Sequence, residues 1–169
     1  MTTRLICIAD AAELAALLTA NRDHLAPYEP YRDDDYFTAD GQRQVIEDVL
    51  RQYDQDGAFP QVIVEDGRIA GRVTLSTIVR GPFQSASLGY WVDGRAGGRG
   101  LATAAVAETV RIAFRELGLH RIDASTLVDN VRSQRVLAKN GFQQYGLAPR
   151  YLKIDGDWRD HILYQLLDE

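Results

Sequence analysis

The spacing of apolar residues changes several times along the chain, and each change marks an element. "RLICI" reads as a short buried strand, with Cys7 a small core residue in it. Asp10 ends that strand, and Asp10 with Glu13 has capping-box spacing ahead of a helix over Ala11–Asn21. "HLAPYEPYRDDDYF" carries prolines, aromatics and an acidic run, so it reads as a loop or broken helix. Thr38 then caps a helix in which Val45, Ile46, Val49, Leu50 and Tyr53 recur at helical spacing. After "QDGAFP" the period becomes that of strands. "QVIVEDGRIAGRVTLSTIV" is a hairpin about Asp66-Gly67, and "SASLGYWVD" is a further strand. Val106, Val110, Ala113, Phe114 and Leu117 mark a helix from Leu101 that Gly118 closes. "HRIDASTLV" is a strand, "NVRSQRVLAKNG" a helix capped by Asn130 and stopped by Gly141, and "RYLKIDGDWRDHILYQLL" a hairpin about Asp155-Gly156. The order β-α-α-β-β-β-α-β-α-β-β predicts a mixed α+β fold, with helices packed on a sheet.

At 169 residues, without repeats or linkers, the chain fits one domain spanning 1–169. A net charge of −5 argues against a nucleic-acid partner. The lone cysteine excludes an internal disulfide and a multi-cysteine zinc site, and His24 and His161 lack metal-ligand spacing. No signal-like start and no long apolar run is present, so the expected location is cytoplasmic, with no membrane partner.

The chemistry concentrates where strand meets helix. "RAGGRGLATAAVAETV", Arg95 to Val110, sets two arginines and three glycines in six residues before an alanine-rich helix. A helix N-terminus offers unpaired N–H groups and a positive dipole end, glycines let an anion approach, and Arg95 and Arg99 add charged donors. The loop therefore suits a pyrophosphate. It is not a P-loop, because Leu101-Ala102 stand where Lys-Ser/Thr is required. Nor is it a dinucleotide fingerprint, because no third glycine follows Gly100 at the right distance. A plain glycine-rich turn remains the competing account.

Arg95-Ala96-Gly97-Gly98-Arg99-Gly100 resembles the Q/R-x-x-G-x-G/A signature of the GNAT superfamily of acetyl-CoA-dependent N-acetyltransferases. "LGYWVD" resembles the strand before that loop. Asn130, Ser133, Val136, Lys139, Gly141 and Phe142 carry an N-x-x-S-x-x-V-x-x-K-x-G-F pattern similar to the branch of bacterial ribosomal-protein N-terminal acetyltransferases. "VRGPFQSASLGY" and "YLKIDGDWRDH" resemble the members of that branch acting on an N-terminal alanine. The resemblance covers most of the chain from Gln61 onward. It implies a GNAT fold: a central, twisted, mostly antiparallel sheet of six to seven strands with about four helices. It also implies an acyltransferase with acetyl-CoA as cofactor and no metal, acting on a protein N-terminus or a small amine, and by analogy a homodimer.

The resemblance assigns roles residue by residue. The backbone at Trp91 and Val92 pairs with the pantetheine amides, and N–H groups of Arg95, Gly97, Gly98, Arg99, Gly100, Leu101 and Ala102 hold the pyrophosphate. Asn130 and Lys139 join the cofactor site, and Arg132, Arg135 and Lys139 form a basic stripe that equally fits a solvated helix face. Ser133, near a helix N-terminus, is the catalytic candidate that hydrogen-bonds the departing thiolate. Tyr145 competes for that role, and a serine bonded to its own helix is the plain alternative. Tyr28, Glu29 and Tyr31 line the acceptor channel, and Asp33, Asp34 and Asp35 attract a cationic acceptor unless they are simply solvated.

No His or Glu sits in a motif that demands a base, and Asp123 with Ser125 is either a buried pair or a water-held base. An α-amine of pKa about 7.7–8.0 is already about one-fifth neutral near pH 7.3, against roughly one in a thousand for lysine. A site without a strong base therefore favours an N-terminal amine. The rival readings are a small-molecule amine acceptor and a non-catalytic CoA-binding sensor.

Overall fold

The computed structural model describes residues 2–168. Seven strands form one sheet in the order β1-β2-β3-β4-β5-β7-β6. They are β1 (Thr3–Leu5), β2 (Phe59–Glu65), β3 (Arg68–Val79), β4 (Ser85–Val92), β5 (Arg121–Leu127), β6 (Gln143–Ile154) and β7 (Asp157–Leu167). Every neighbouring pair is antiparallel except β4 and β5. The helices are α1 (Ala11–Ala20), α2 (Arg22–Leu25), α3 (Ala39–Asp54), α4 (Leu101–Arg115) and α5 (Val131–Lys139). Both hairpin turns form as the dipeptides require: Asp66 and Gly67 have φ of 49° and 77°, Asp155 and Gly156 of 47° and 88°. Positive φ at both central residues gives the turn whose twist matches its strands.

The sheet carries helices on both faces. Leu14 and Leu17 of α1 and Ile46 of α3 pack on Val62 and Ile69. On the other face Ala105, Val106 and Ala113 of α4 and Leu137 of α5 pack on Leu75, Leu88 and Ile122. Side chains alternate along β4, so Leu88, Tyr90 and Val92 face α4 and α5 while Trp91 faces the α1 and α3 side.

Three local readings change. Cys7 is exposed, because β1 ends at Leu5 and Ile6 is the residue that enters the core. Asp10 does not cap α1. Its carboxylate binds Arg4 at 2.9 and 2.8 Å and accepts the Cys7 N–H at 2.9 Å. Glu13 likewise turns away from its own helix and accepts the Ile69 N–H at 2.8 Å, so the capping-box pair serves tertiary contacts instead. The loop after α1 includes the one-turn helix α2, which the sequence reading leaves out.

One departure from regular pairing makes room for a site. β4 and β5 pair from Ser85↔Arg121 to Leu88↔Ala124 and then part. β3 holds β4 as far as Val92, and β7 holds β5 as far as Leu127. The edge of β4 from Gly89 to Val92 is therefore open toward β5. Gly71 lets β3 keep its grip there: a Cβ at that position would lie 2.2 Å from the Trp91 carbonyl oxygen.

Candidate active site

A cleft of about 720 Å³ occupies this opening and reaches both faces of the sheet. Asn130 and Ser133 of α5 line it on one face; Val49 of α3 and Arg72 of β3 line it on the other, with Gly89 and Trp91 between them. Two ligands can thus approach one point from opposite sides.

On the α5 side, much of the surface is backbone. Beyond the open β4 edge, Gly94–Ala96 form one 3-10 turn, and Gly100 at φ 82° leads into α4 without any side chain capping its first turn. The first N–H groups of α4, at Leu101 and Ala102, keep their donors for a ligand. A Cβ at Gly98 or Gly100 would meet no protein atom within 4 Å, so the bare backbone there faces open space. Asn21, at the end of α1, anchors the loop from behind by accepting the Gly94 N–H at 2.8 Å. Arg95 and Arg99 are already engaged, with Asp93 at 3.2 Å and Glu65 at 2.7 Å. Lys139 is exposed at the far end of α5 and does not line the cleft.

Ser133 has a partner the sequence reading passes over. Its Oγ lies 2.8 Å from the Tyr90 hydroxyl, and its N–H donates to Asn130 Oδ1 at 3.2 Å. Burial pushes the Tyr90 phenol up to about 12, partly opposed by the bond to Ser133. Tyr90 therefore stays protonated, and its one hydrogen can go to the Ser133 carbonyl at 3.2 Å or to Ser133 Oγ; in the second arrangement the serine hydrogen is free for a group in the cleft. Asn130 caps α5 with its oxygen, and its amide nitrogen has no partner among the described residues. Tyr145 lies elsewhere, exposed on β6 against Arg121 and outside the cleft. Asp123 is also accounted for: it binds Arg121 at 2.6 Å and accepts from Ser85 at 3.2 Å, and it does not line the cleft.

On the α3 side, side chains do the shaping. Tyr28 and Glu29 line the cleft, and the Glu29 carbonyl ties this segment to the last hairpin by accepting the Asp155 N–H at 3.0 Å. Tyr31 is 73% exposed and lies outside it. Asp33 caps the turn of Asp34–Phe37, and Asp34 binds Arg22, so the acidic run faces solvent and not the cleft. Burial raises the Glu29 pKa, with Arg32 and Arg72 pulling it back down. His161, which lines the same cleft, is buried, with Nδ1 3.0 Å from the Arg159 carbonyl. The tautomer satisfying that carbonyl carries hydrogen on Nδ1 and leaves Nε2 an acceptor. Arg72 and His161 stand in no motif; only the pairing of β3 with β4 and β5 with β7 brings them here. Tyr90 shows its orientation in the strand alternation, but its partner depends on where α5 packs.

An open edge between parallel strands, a glycine loop at a helix start and a cleft through the sheet define an acyltransferase site for two substrates. The chain belongs to the GNAT acetyltransferases: the acetyltransferase (GNAT) domain model matches residues 1–143. It is 34% identical over 168 residues to the [ribosomal protein uS5]-alanine N-acetyltransferase of Escherichia coli, covering 98% of this chain and 87% of that protein. The crystal structure of the ribosomal-protein-S5-alanine acetyltransferase of Vibrio fischeri superposes with a TM-score of 0.94 at 37% identity, covering 99% of this chain and 92% of that one. Mycobacterium smegmatis RimJ, in complex with CoA-disulfide, superposes at 0.95 and 34% identity, covering 98% of this chain and 80% of that one. The protein is an N-acetyltransferase. Among the described residues no His, Cys, Asp and Glu side chains cluster as a metal site, and no helix is long and apolar enough to cross a membrane.

Proposed function

We propose that this enzyme transfers the acetyl group of acetyl-CoA to the N-terminal α-amine of a polypeptide, with a ribosomal protein as the acceptor class. The observation that carries this reading is the cleft through the sheet, with backbone donors on one side and a half-buried acceptor pocket lined by Glu29, Arg72 and His161 on the other. Relatives named for acetylating an alanine of uS5 align along nearly the whole chain.

Acetyl-CoA supplies the activated acyl group as a thioester. The β4 edge from Gly89 to Val92 is available for strand-like pairing with the pantetheine amides. The loop from Arg95 to Ala102 suits the pyrophosphate, and the Asn130 amide nitrogen adds a donor between them. Ser133, held by Tyr90, hydrogen-bonds the sulfur as it takes up charge, and the start of α5 favours that charge. Glu29 faces the acceptor amine and takes the one proton released as the C–N bond forms and the C–S bond breaks, with His161 lining the same side of the cleft. An α-amine needs no stronger base, since a sizeable fraction is neutral at physiological pH.

Mass spectrometry after incubation with acetyl-CoA tests this on an Ala-starting basic peptide, the same peptide blocked at its N-terminus, and a panel of polyamines, aminoglycosides and free amino acids. Acetylation of the free α-amine alone is the expected result. Turnover confined to a small amine would replace the polypeptide by that acceptor.

A further inference from the structure

The acceptor half of the cleft contains a carboxylate and a guanidinium that make no direct ion pair, each feeling the field of the other and of Arg32. Glu29 enters from the segment after α2 and Arg72 stands on β3; both are half-buried and both line the cleft. Among the described residues neither side chain has a hydrogen-bond or ion-pair partner. Asp48 on the same wall differs, being bound to Arg51 and Gln44. A partly desolvated guanidinium with five donors and no acceptor is costly unless a ligand completes it. Burial lowers the Arg72 pKa, and Tyr36 and Glu29 oppose that shift.

Arg72 cannot leave this position by a backbone movement. It pairs with Val62 of β2 on one side and Trp91 of β4 on the other, and the adjacent Gly71 is wedged against the Trp91 carbonyl. The guanidinium thus stands one strand in from the open edge that the acetyl-transfer reading gives to the pantetheine. An α-amino acyl group presents an amine and, one carbon away, a carbonyl oxygen. Glu29 and Arg72 match that pair; Arg32 and Lys153 line the same cleft, but both are exposed and Arg32 lies over the Tyr36 ring, whereas Arg72 is half-buried. A polyamine or a lysine ε-amine brings no oxygen and leaves Arg72 desolvated without an acceptor.

We infer that Arg72 binds the carbonyl oxygen next to the amine-bearing carbon of the acceptor while Glu29 takes the amine, which makes the site selective for α-amino acyl groups. This rests on the acetyl-transfer reading and adds a chemical requirement on the acceptor. A site built to hydrogen-bond a group rejects the analogue lacking it, because its own polar atoms are left unpaired.

NMR titration of the CoA-saturated protein tests the assignment without turnover. The probes are alaninamide and 2-amino-3-methylbutane, which have similar shapes but differ in the carbonyl. The wild type binds alaninamide tighter by about tenfold or more. Arg72→Met removes most of that preference, Arg72→Lys keeps part of it, and CoA affinity stays within about twofold. Titration near pH 6 keeps both amines protonated, since even an α-amine has a pKa of about 7.7–8.0, so their difference in basicity does not enter the comparison of variants. An equal preference in wild type and Arg72→Met, or no binding of alaninamide by wild type, overturns the inference. Absence of acetyl transfer to the Ala-starting peptide is a separate result and bears on the proposed reaction instead.

Discussion

The two halves of the cleft are built by different means. The half facing α5 is largely backbone: an open strand edge, a glycine loop and the start of α4, contiguous from Gly89 to Ala102. Its two loop arginines are already paired to carboxylates. The half facing α3 is made of side chains from distant elements, Glu29, Arg72 and His161, and holds charges without protein partners. A ligand that is the same in every reaction cycle can be held by main-chain groups, which any sequence with the right strand, loop and helix supplies. A ligand that must be told from its neighbours needs particular side chains at particular depths. Variants on the two sides should therefore fail differently, the first in turnover or cofactor binding, the second in acceptor choice and pH dependence.

The largest expected effect is at Ser133. Replacing it by alanine removes one donor aimed at developing charge, a change that typically costs about 10²–10³-fold in kcat. The KM for acetyl-CoA should stay within about twofold, because the backbone contacts are untouched. Tyr90→Phe should give a smaller loss, and adding it to Ser133→Ala should cost little more, since the phenol acts through the serine. Steady-state kinetics of the two single variants and the double variant read this directly. A double variant whose loss is the sum of the two single losses in free energy would separate Tyr90 from Ser133.

Glu29→Gln probes the other half, with an expected loss of about tenfold in kcat/KM for the peptide, on the scale of a hydrogen bond to a charged group and below that of an obligatory general base, because the α-amine is already partly neutral. Its pH behaviour is more diagnostic. Burial raises the Glu29 pKa above its ordinary value of 4.5, so the folded protein binds this proton more tightly than the unfolded chain. The associated stability is complete below the unfolded value and is lost as pH rises through the folded one. Glu29→Gln should therefore melt higher than wild type near pH 7.5, with the gap closing toward pH 4. In activity, the wild type should show an acidic limb above the usual carboxylate range that disappears in Glu29→Gln. A variant that loses activity yet keeps the acidic limb would assign that limb to another group.

What the sequence reveals follows the same division. The succession of strands and helices along the chain, both Asp-Gly hairpins, the Thr38 and Asn130 caps and the glycine loop were legible, because each depends on neighbours within a few residues. The position of Ser133 near a helix start was legible in the same way. Arg72 was not, since a charged residue in "RIAGRVTLS" looks like an ordinary solvent-facing strand position until β3, β4 and α3 enclose it. His161 looked unremarkable for lack of metal spacing, and its burial comes from the packing of β7 against β5 and β6. Local rules also misplace residues when a distant partner competes better, as Arg4 does for Asp10 and the Ile69 N–H for Glu13.

The smallest effect sharpens the comparison most. By sequence, the run Asp33-Asp34-Asp35 looks like an electrostatic lure for a cationic acceptor, and Tyr31 looks like a wall of its channel. In the fold, Asp33 accepts the Tyr36 N–H as a cap, Asp34 forms an exposed pair with Arg22, and Tyr31 faces solvent. An exposed pair of this kind contributes about 0–1 kcal/mol and is screened by salt. Asp34→Asn with Asp35→Asn, and separately Tyr31→Ala, should therefore change the acceptor KM by less than about twofold at both about 20 mM and about 300 mM salt, where the Debye length is about 20 Å and about 6 Å. Kinetics on the Ala-starting peptide at the two salt levels decide it. A severalfold rise in KM confined to low salt would mean that discrimination begins outside the cleft, at the surface, and that Glu29 and Arg72 only complete a selection already under way.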